Sequence, residues 1–320
     1  MNGQTFLESS PELAHTWTAL VTQCIFIGAN ALALVPSLLI IVAVVGHKRM
    51  RTVDNLVVLQ ISVVDAFYAT MTLTWFPIKM AMGPSVLTYT ACQLEGAVSV
   101  LCKVTWLYSA TVCAFWRYYT IVHGGGLEKR SVLMLQLSQW GLPLVAALAI
   151  AGTGRFDLMP SGAYCYTRYR TDDWVLLTFY YVNIVVIFVP TCLAVYFYYA
   201  ITAQFHTVVQ RVSECTSNNQ LMDKESCATN NKVDQLRDNP SLAKYRAVAF
   251  RSILYCVIFL LAFLPFGITM ITELILDESR SAIVDCIAVS AIMTHKVLSP
   301  VVTLLINASI RAQVNMMLGL

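Results

Sequence analysis

The chain has 320 residues, of which 58% are hydrophobic and only 12% are charged, and its formal net charge is +3. A soluble domain carries about a quarter charged residues, so this composition excludes an ordinary soluble protein and predicts an integral membrane protein. The chain has no basic, aromatic-interleaved patch, so we expect no nucleic-acid partner. It also has no metal-ligand cluster, nucleophile triad or phosphate loop, so we expect neither a metal site nor an enzyme.

Apolar stretches fill the chain from end to end. A hydrocarbon core about 30 Å thick needs roughly 20 apolar residues of helix. The stretches are continuous rather than alternating, which favours helices over barrel strands. We therefore predict an all-α membrane protein, a single seven-transmembrane-helix bundle over residues 1–320. The predicted spans lie near 20–45, 55–78, 92–122, 132–152, 174–201, 247–276 and 282–306.

The distribution of Lys and Arg predicts the orientation of the bundle. These residues concentrate after the first, third and fifth spans, and the first 19 residues contain none. Positively charged loops stay in the cytoplasm, so we expect the N-terminus outside and the C-terminus inside. The low-hydrophobicity stretch 207–243 is predicted to be a flexible cytoplasmic loop. Residues 307–320 are predicted to form a short amphipathic helix on the inner membrane surface.

Two cysteines are predicted on the outer side of the membrane. Cys92 begins the third span and Cys165 lies between the fourth and fifth spans. A disulfide persists in this compartment, and a bridge between these residues would hold the intervening loop over the mouth of the bundle. Two free thiols are the alternative, and we expect the bridge.

Several landmarks of one receptor family occur in order along the chain. Cys92 and Arg117 stand 25 residues apart in the third span, and Tyr198 follows Pro190 by eight residues in the fifth. The remaining landmarks are Asn55 with Asp65, Trp140, Phe263-Leu264-Pro265-Phe266, and Ser299-Pro300 followed by Asn307 and Arg311. Over nearly the whole chain these residues resemble the rhodopsin-like G-protein-coupled receptors.

The resemblance implies a plasma-membrane, multi-pass receptor that couples an extracellular or light signal to a heterotrimeric G protein. A small-molecule ligand would change the packing in the bundle, and the sixth span would swing about Pro265. An inner cavity would then open for the G protein. The implied ligand pocket contains Lys103, Phe263, Phe266 and Met293. The implied switch and coupling residues are Arg117, Tyr198, Asp65, Pro265 and Pro300.

The chain departs from the family pattern on its inner side. Trp116 replaces the acidic residue that usually precedes Arg117, Ser299 replaces an asparagine, and Thr303 replaces a tyrosine. No carboxylate occurs at the inner end of the sixth span near Tyr245. We therefore expect a resting state held by something other than an arginine–carboxylate salt bridge, or a receptor with basal activity.

Within the family, the run Cys92-Gln-Leu-Glu95-Gly resembles the opsins, in which this glutamate is the counter-ion of a retinal Schiff base. The opsin lysine position is Met293 here, and Lys296 lies three residues further along, about 4.5 Å deeper along the helix. One hypothesis is therefore that Lys296 or Lys103 holds retinal, with Glu95 as the counter-ion.

Buried charges in membrane spans are expensive and usually functional. The simplest alternative to retinal pairs Lys296 with Asp65, where the ammonium would replace a sodium ion. A rival from another class is an ion or proton transporter or pump, in which Asp65, Glu95, Lys103 and Lys296 form a relay. The chain shows no internal repeat and no paired broken helices of the transporter kind.

Overall fold

The computed structural model describes residues 17–82, 88–123, 129–167, 173–222 and 240–319. In these ranges the chain forms seven long helices, a short eighth helix and a two-stranded hairpin, which confirms the predicted seven-helix bundle. The helices are α1 (Trp17–Gly46), α2 (Val53–Met82), α3 (Tyr89–Val122), α4 (Lys129–Thr153), α5 (Trp174–Met222), α6 (Pro240–Leu276), α7 (Ala282–Ile306) and α8 (Ala308–Leu318).

Six of the seven long helices are apolar enough over their length to cross a membrane, and α4 has a shorter apolar part, Leu137–Thr153. The whole of α4 has 25 residues, and a helix of that length is about 37 Å long, which exceeds the hydrocarbon thickness. Its polar Gln139 is buried, accepts from Gln60 Nε2 at 2.8 Å and from Ser109 Oγ at 3.1 Å, and so connects α4 to α2 and α3.

The helices close into a ring with α3 near its centre. Helix α1 packs on α2 and α7, α3 packs on α2, α4 and α5, and α6 packs between α5 and α7. The main hydrophobic core lies in the outer and middle parts of this bundle and contains Phe26, Trp106, Phe263, Phe266 and Met293. Thr111 on α3 donates to the carbonyl of Pro190 on α5 at 3.1 Å, so a polar contact holds the proline-containing part of α5 against the central helix.

The predicted loop 207–243 is helical at both ends, and the prediction is wrong there. Helix α5 continues to Met222 and α6 begins at Pro240, whereas residues 223–239 lie outside the described residues. A drop in hydrophobicity indicates where a helix leaves the membrane, but the helix can continue into water. Gln, Glu and Arg are good helix formers in water.

A β-hairpin covers the outer end of the bundle. Strands β1 (Phe156–Leu158) and β2 (Cys165–Thr167) pair antiparallel, with Phe156 opposite Thr167. The disulfide between Cys92 and Cys165 is present and fastens β2 to α3, as predicted. Gly96 lets β1 approach α3 closely, because a Cβ at this position would overlap the ring of Phe156.

Helix α8 begins with a capping residue and packs against the inner end of α1. The side chain of Asn307 accepts a hydrogen bond from the backbone of Ile310, which satisfies one of the free amides at the start of the helix. Ile310 and Val314 are buried against Ile40 and Val44 of α1. The helix predicted within 307–320 therefore rests on the bundle through these two apolar residues.

Candidate functional site

Lys103 lies in an aromatic cage in the outer half of the bundle. Its ammonium nitrogen is 4.1 Å from the ring centroid of Tyr166, 5.0 Å from that of Tyr164 and 5.6 Å from that of Phe266. The side chain is buried, and its nitrogen has no hydrogen-bond partner among the described residues. The hairpin supplies two of the three rings, so this cage forms only when the hairpin covers α3 and α6.

The other predicted pocket residues lie in layers around this cage. Phe263 packs one helical turn below Phe266, with its ring centroid 5.3 Å from that of Trp106. Trp106 in turn meets His295 edge-on at 4.0 Å. Met293 is buried, and its sulfur accepts a hydrogen bond from Asn30 at 3.8 Å. The predicted pocket is therefore a packed aromatic column that connects Lys103 to the middle of α7.

Glu95 pairs with a lysine that the sequence analysis did not consider. The ammonium of Lys79 lies 3.0 Å and 3.2 Å from the two carboxylate oxygens, and the Trp75 indole donates to the carboxylate at 3.1 Å. Lys79 also donates to the carbonyl of Ala163 at 2.7 Å, which ties α2 to the hairpin. Lys79 lies near the end of a predicted span, where a lysine is expected to be solvated, so its pairing with Glu95 was not predicted.

Lys296 and Asp65 do not form the predicted ion pair in the part of the chain that the structure describes. The ammonium of Lys296 lies over the ring of Tyr68 at 2.9 Å from its centroid. One carboxylate oxygen of Asp65 has no hydrogen-bond partner among the described residues, and Asp65 lines an inner cavity. Tyr68 occupies the place beside Lys296 because it lies one helical turn above Asp65 on the same face of α2.

A buried cluster of charges joins α6, α7 and the hairpin at the outer end, and the sequence analysis missed it. Asp285 accepts from Arg280 Nε at 2.9 Å, from the Tyr164 hydroxyl at 2.8 Å and from the Ser161 amide at 3.3 Å. Glu273 accepts from the Arg280 amide at 3.0 Å and also from the Tyr180 hydroxyl. Glu273 and Asp285 lie inside apolar predicted spans. An acidic residue in such a span indicates a buried charge with a partner, and this pattern could have predicted the cluster.

Burial and neighbouring groups shift the pKa values of Arg280 and Tyr166 at the outer end of the bundle. Burial disfavours the charged form of Arg280, but its neighbours Tyr164, Asp285 and Glu273 outweigh that effect and raise its pKa above the ordinary value. Burial raises the pKa of Tyr166 to about 12, with Arg280 acting in the opposite direction. The cage around Lys103 therefore has neutral phenols on its hairpin side at physiological pH.

These residues do not fit the retinal arrangement that the opsin resemblance implied. Lys79 already neutralises Glu95, so that carboxylate is not available as the counter-ion of a Schiff base on another lysine. Lys103 and Lys296 contact aromatic rings, and Met293 occupies the usual attachment position. The four residues of the proposed ion relay likewise form no chain of hydrogen bonds in the described ranges.

The inner half of the bundle contains a cavity of about 30 Å³ between α2, α3, α5, α6 and α7. Its wall is mostly apolar, with a few polar side chains among the lining residues. The predicted switch residues Asp65, Arg117, Tyr198 and Pro300 all line it. Pro265 lies higher on α6, beside the aromatic column.

Tyr255 lies at the inner end of this cavity and contacts α3 and α7. Its ring centroid is 5.0 Å from the guanidinium carbon of Arg117 on α3, and its hydroxyl hydrogen-bonds Thr303 on α7. The Thr303 hydroxyl donates to the Ser299 carbonyl at 2.8 Å, so Tyr255 is the donor in the bond between them. Trp116 packs against Val57 on α2. The role of Tyr255 is not predictable from the sequence, because a lone tyrosine in an apolar run is usually a packing residue.

Comparison with known proteins shows the family of this chain. The sequence profile of the 7 transmembrane receptor (rhodopsin family) matches residues 37–302. The chain therefore belongs to the rhodopsin family of seven-transmembrane receptors. The family and the apolar helices agree with the predicted location, a multi-pass protein of the plasma membrane.

Individual relatives are distant. The chain is 22% identical over 224 residues to the visual pigment-like receptor peropsin of Homo sapiens, covering 68% of this chain and 63% of the relative. It is 28% identical over 164 residues to ceropsin of Bombyx mori, covering 48% and 42%. It is 23% identical over 180 residues to the neuromedin-K receptor of Cavia porcellus, covering 56% and 41%. The chain thus spans less than two thirds of the length of each relative.

Proposed function

We propose that this chain is a receptor, and neither an enzyme nor a transporter, that passes a signal from a small ligand to a heterotrimeric G protein. The ligand would act near Lys103, Phe263, Phe266 and Met293. The coupling end would be the inner cavity, which Arg117 on α3 and Tyr198 on α5 both line. The observation that carries the proposal is Tyr255, which contacts Arg117 and Thr303 and so closes the helices around that cavity.

The small cavity supports the proposal that this arrangement is the resting state of the receptor. A helix with its side chains is about 10–12 Å in diameter, and a space of about 30 Å³ cannot admit one. A G-protein helix therefore enters only after α6 moves outward. That movement would break the bond between Tyr255 and Thr303, and Pro265 supplies a point where α6 lacks a backbone hydrogen bond and bends.

The ligand end connects to this movement through the aromatic column. Phe266 touches Lys103, Phe263 touches Trp106, and Phe259 lies 4.7 Å from Phe263 on the same face of α6. A ligand that displaces the hairpin rings from Lys103 would change the packing of Phe266. Since these rings all belong to α6 or contact it, the shift would be transmitted along the helix toward Tyr255.

The experiment is nucleotide exchange by purified heterotrimeric G proteins, measured with the full chain in lipid nanodiscs. We expect exchange above that of empty nanodiscs, and we expect Arg117→Ala to abolish the difference. Arg311→Ala is the matched control, because Arg311 is an exposed inner arginine whose guanidinium donates to the nearby Leu305 carbonyl at 2.5 Å. Exchange equal to empty nanodiscs for wild type and for Tyr255→Phe, across the main G-protein classes, would refute the proposal.

A further inference from the structure

A crevice of about 250 Å³ lies between the outer halves of α2 and α3. Its wall is mostly apolar, with Met71, Phe76, Leu94 and Val98 among the lining residues. Leu94 and Met71 are exposed on membrane-spanning helices, and an exposed side chain at that depth faces lipid. The crevice therefore opens sideways toward the hydrocarbon.

The carboxylate of Glu95 lies at the upper end of the crevice and has spare hydrogen-bonding capacity. Glu95 lines the crevice, and its carboxylate accepts three hydrogen bonds, two from Lys79 and one from Trp75. A carboxylate offers about four acceptor positions, so one remains. The Glu95 side chain is 8% exposed and the Lys79 side chain only 1%, so the acid faces the crevice and the ammonium does not.

The charge and the hydrogen-bond donors of the Lys79–Glu95 pair determine which lipid head group would fit. Lys79 uses its three N–H donors on the two Glu95 oxygens and on the Ala163 carbonyl, so it has none left for an anion. The pair is neutral as a whole, so a cationic head group gains little. A neutral hydroxyl that donates one hydrogen bond matches the remaining acceptor.

The depth of the crevice matches a lipid of the outer leaflet. Glu95 lies six residues into α3, about 9 Å from its outer end. Tyr68, at the lower end of the crevice, precedes Trp75 by seven residues of helix, which is about 10 Å. A ligand would thus have its polar end toward the outer surface and its apolar part toward the membrane centre. A space of about 250 Å³ is smaller than the roughly 300–1,000 Å³ of sites that enclose a ligand, so part of the molecule stays in the bilayer.

We infer that this crevice binds a neutral lipid alcohol from the outer leaflet, whose hydroxyl donates to Glu95. The inference goes beyond G-protein coupling, and its test reads binding rather than signalling, so either can fail alone.

The test is photolabelling of the full chain in nanodiscs with three matched probes. Each is a 16-carbon chain with a diazirine at the same mid-chain carbon, and the end group is a primary alcohol, its methyl ether or a carboxylic acid. We expect the alcohol to label peptides containing Met71, Leu94 or Val98 about tenfold more than the ether, because only the alcohol donates to a charged acceptor. Unlabelled hexadecanol should compete for this labelling and its methyl ether should not.

A crevice-filling variant and a matched control sharpen the result. Val98→Phe should reduce labelling by the alcohol at least fivefold, whereas Val145→Phe, at an exposed position on α4, should leave it unchanged. Equal labelling by alcohol and ether, or labels spread evenly over all lipid-facing helices, would mean ordinary lipid contact and would overturn the inference. Strongest labelling by the carboxylic acid would overturn it too, because Lys79 would then be the group that binds.

Discussion

The outer and inner ends of this bundle are held by different chemistry. At the outer end, ion pairs join separate elements: Lys79 with Glu95, Arg280 with Asp285 and Glu273, and Arg155 with Asp173. At the inner end, Arg117 lies against the ring of Tyr255, and a hydrogen bond between two hydroxyls joins α6 to α7. Breaking a buried ion pair costs about 3–5 kcal/mol, whereas a neutral hydrogen bond contributes about 1 kcal/mol.

The difference shows which end of the molecule can move at low cost. The hairpin is fastened to α2 by Lys79, to α3 by a disulfide and to α7 by Asp285. The inner end of α6 is fastened by contacts that a modest change in packing can replace. This distribution supports the proposal that the inner end opens while the ion pairs and the disulfide of the outer end stay in place.

The largest expected effect comes from removing the acid at the centre of the outer cluster. Asp285→Ala leaves the buried Arg280 with Glu273 as its remaining acid and leaves the Tyr164 hydroxyl without its acceptor. We expect a loss of about 3–5 kcal/mol in unfolding free energy, measured as thermal or denaturant unfolding in detergent. Glu278→Ala, at an exposed acid in the loop that contains Arg280, is the control and should change stability by less than about 0.5 kcal/mol.

A second prediction concerns the ion pair between α2 and α3. Lys79→Met leaves the Glu95 carboxylate with the Trp75 indole as its remaining partner, and we expect a loss of about 3 kcal/mol. The double variant Lys79→Met with Glu95→Gln should recover much of that loss, because no buried charge is then left unpaired. Additive losses in this cycle would show that the two side chains do not depend on each other.

A third prediction tests the inner end. Tyr255→Phe keeps the ring over Arg117 and removes the hydroxyl that bonds to Thr303. A loss of about 1 kcal/mol from the closed state corresponds to roughly a fivefold rise in basal nucleotide exchange. Thr303→Val removes the same bond from the other side, so it should give a similar rise and the double variant no further one. An unchanged basal rate in both single variants would count against Tyr255 as the closing contact.

A fourth prediction is a variant that should not lower the unfolding free energy, unlike the variants of the ion pairs. Lys103→Met replaces a buried ammonium that has no hydrogen-bond partner in the described ranges with an apolar side chain of similar length. Stability should stay level or rise by about 1 kcal/mol, since desolvation of the charge is avoided. Lys79→Met serves as the contrast in the same unfolding assay. A loss as large as that of Lys79→Met would show that Lys103 has a strong partner.

The last prediction is that retinal causes no change in the visible absorption spectrum. Incubation of the purified protein with 11-cis or all-trans retinal should give no visible absorption band, because Lys79 occupies Glu95 and the usual attachment position is Met293. Absorption spectra before and after acid denaturation measure this. A visible band that disappears when Lys103 and Lys296 are both replaced would reverse this conclusion and restore the photoreceptor hypothesis.

Local patterns in the sequence were sufficient to predict the helices and the disulfide, but they did not predict which charged residues form ion pairs. The continuous apolar runs predicted the seven-helix bundle, and Cys92 and Cys165 predicted the disulfide that is present. Glu273, Arg280 and Asp285 were missed although two of them lie in predicted spans. A residue near the end of an apolar run looks solvated from the sequence, and only the position of the hairpin shows that it is covered.

The sequence by itself determined that the chain crosses the membrane as seven helices and belongs with the rhodopsin-like receptors. Hydrophobicity and spacing along one helix are local properties, and they are independent of how the helices meet. The tertiary structure alone decided that Glu95 pairs with Lys79, that Lys103 contacts three rings and that Tyr255 connects α6 to Arg117 and Thr303. Each of these contacts depends on the rotation and depth of one helix against another, because a charge in a low-dielectric interior binds whichever opposite charge or ring the packing brings near it.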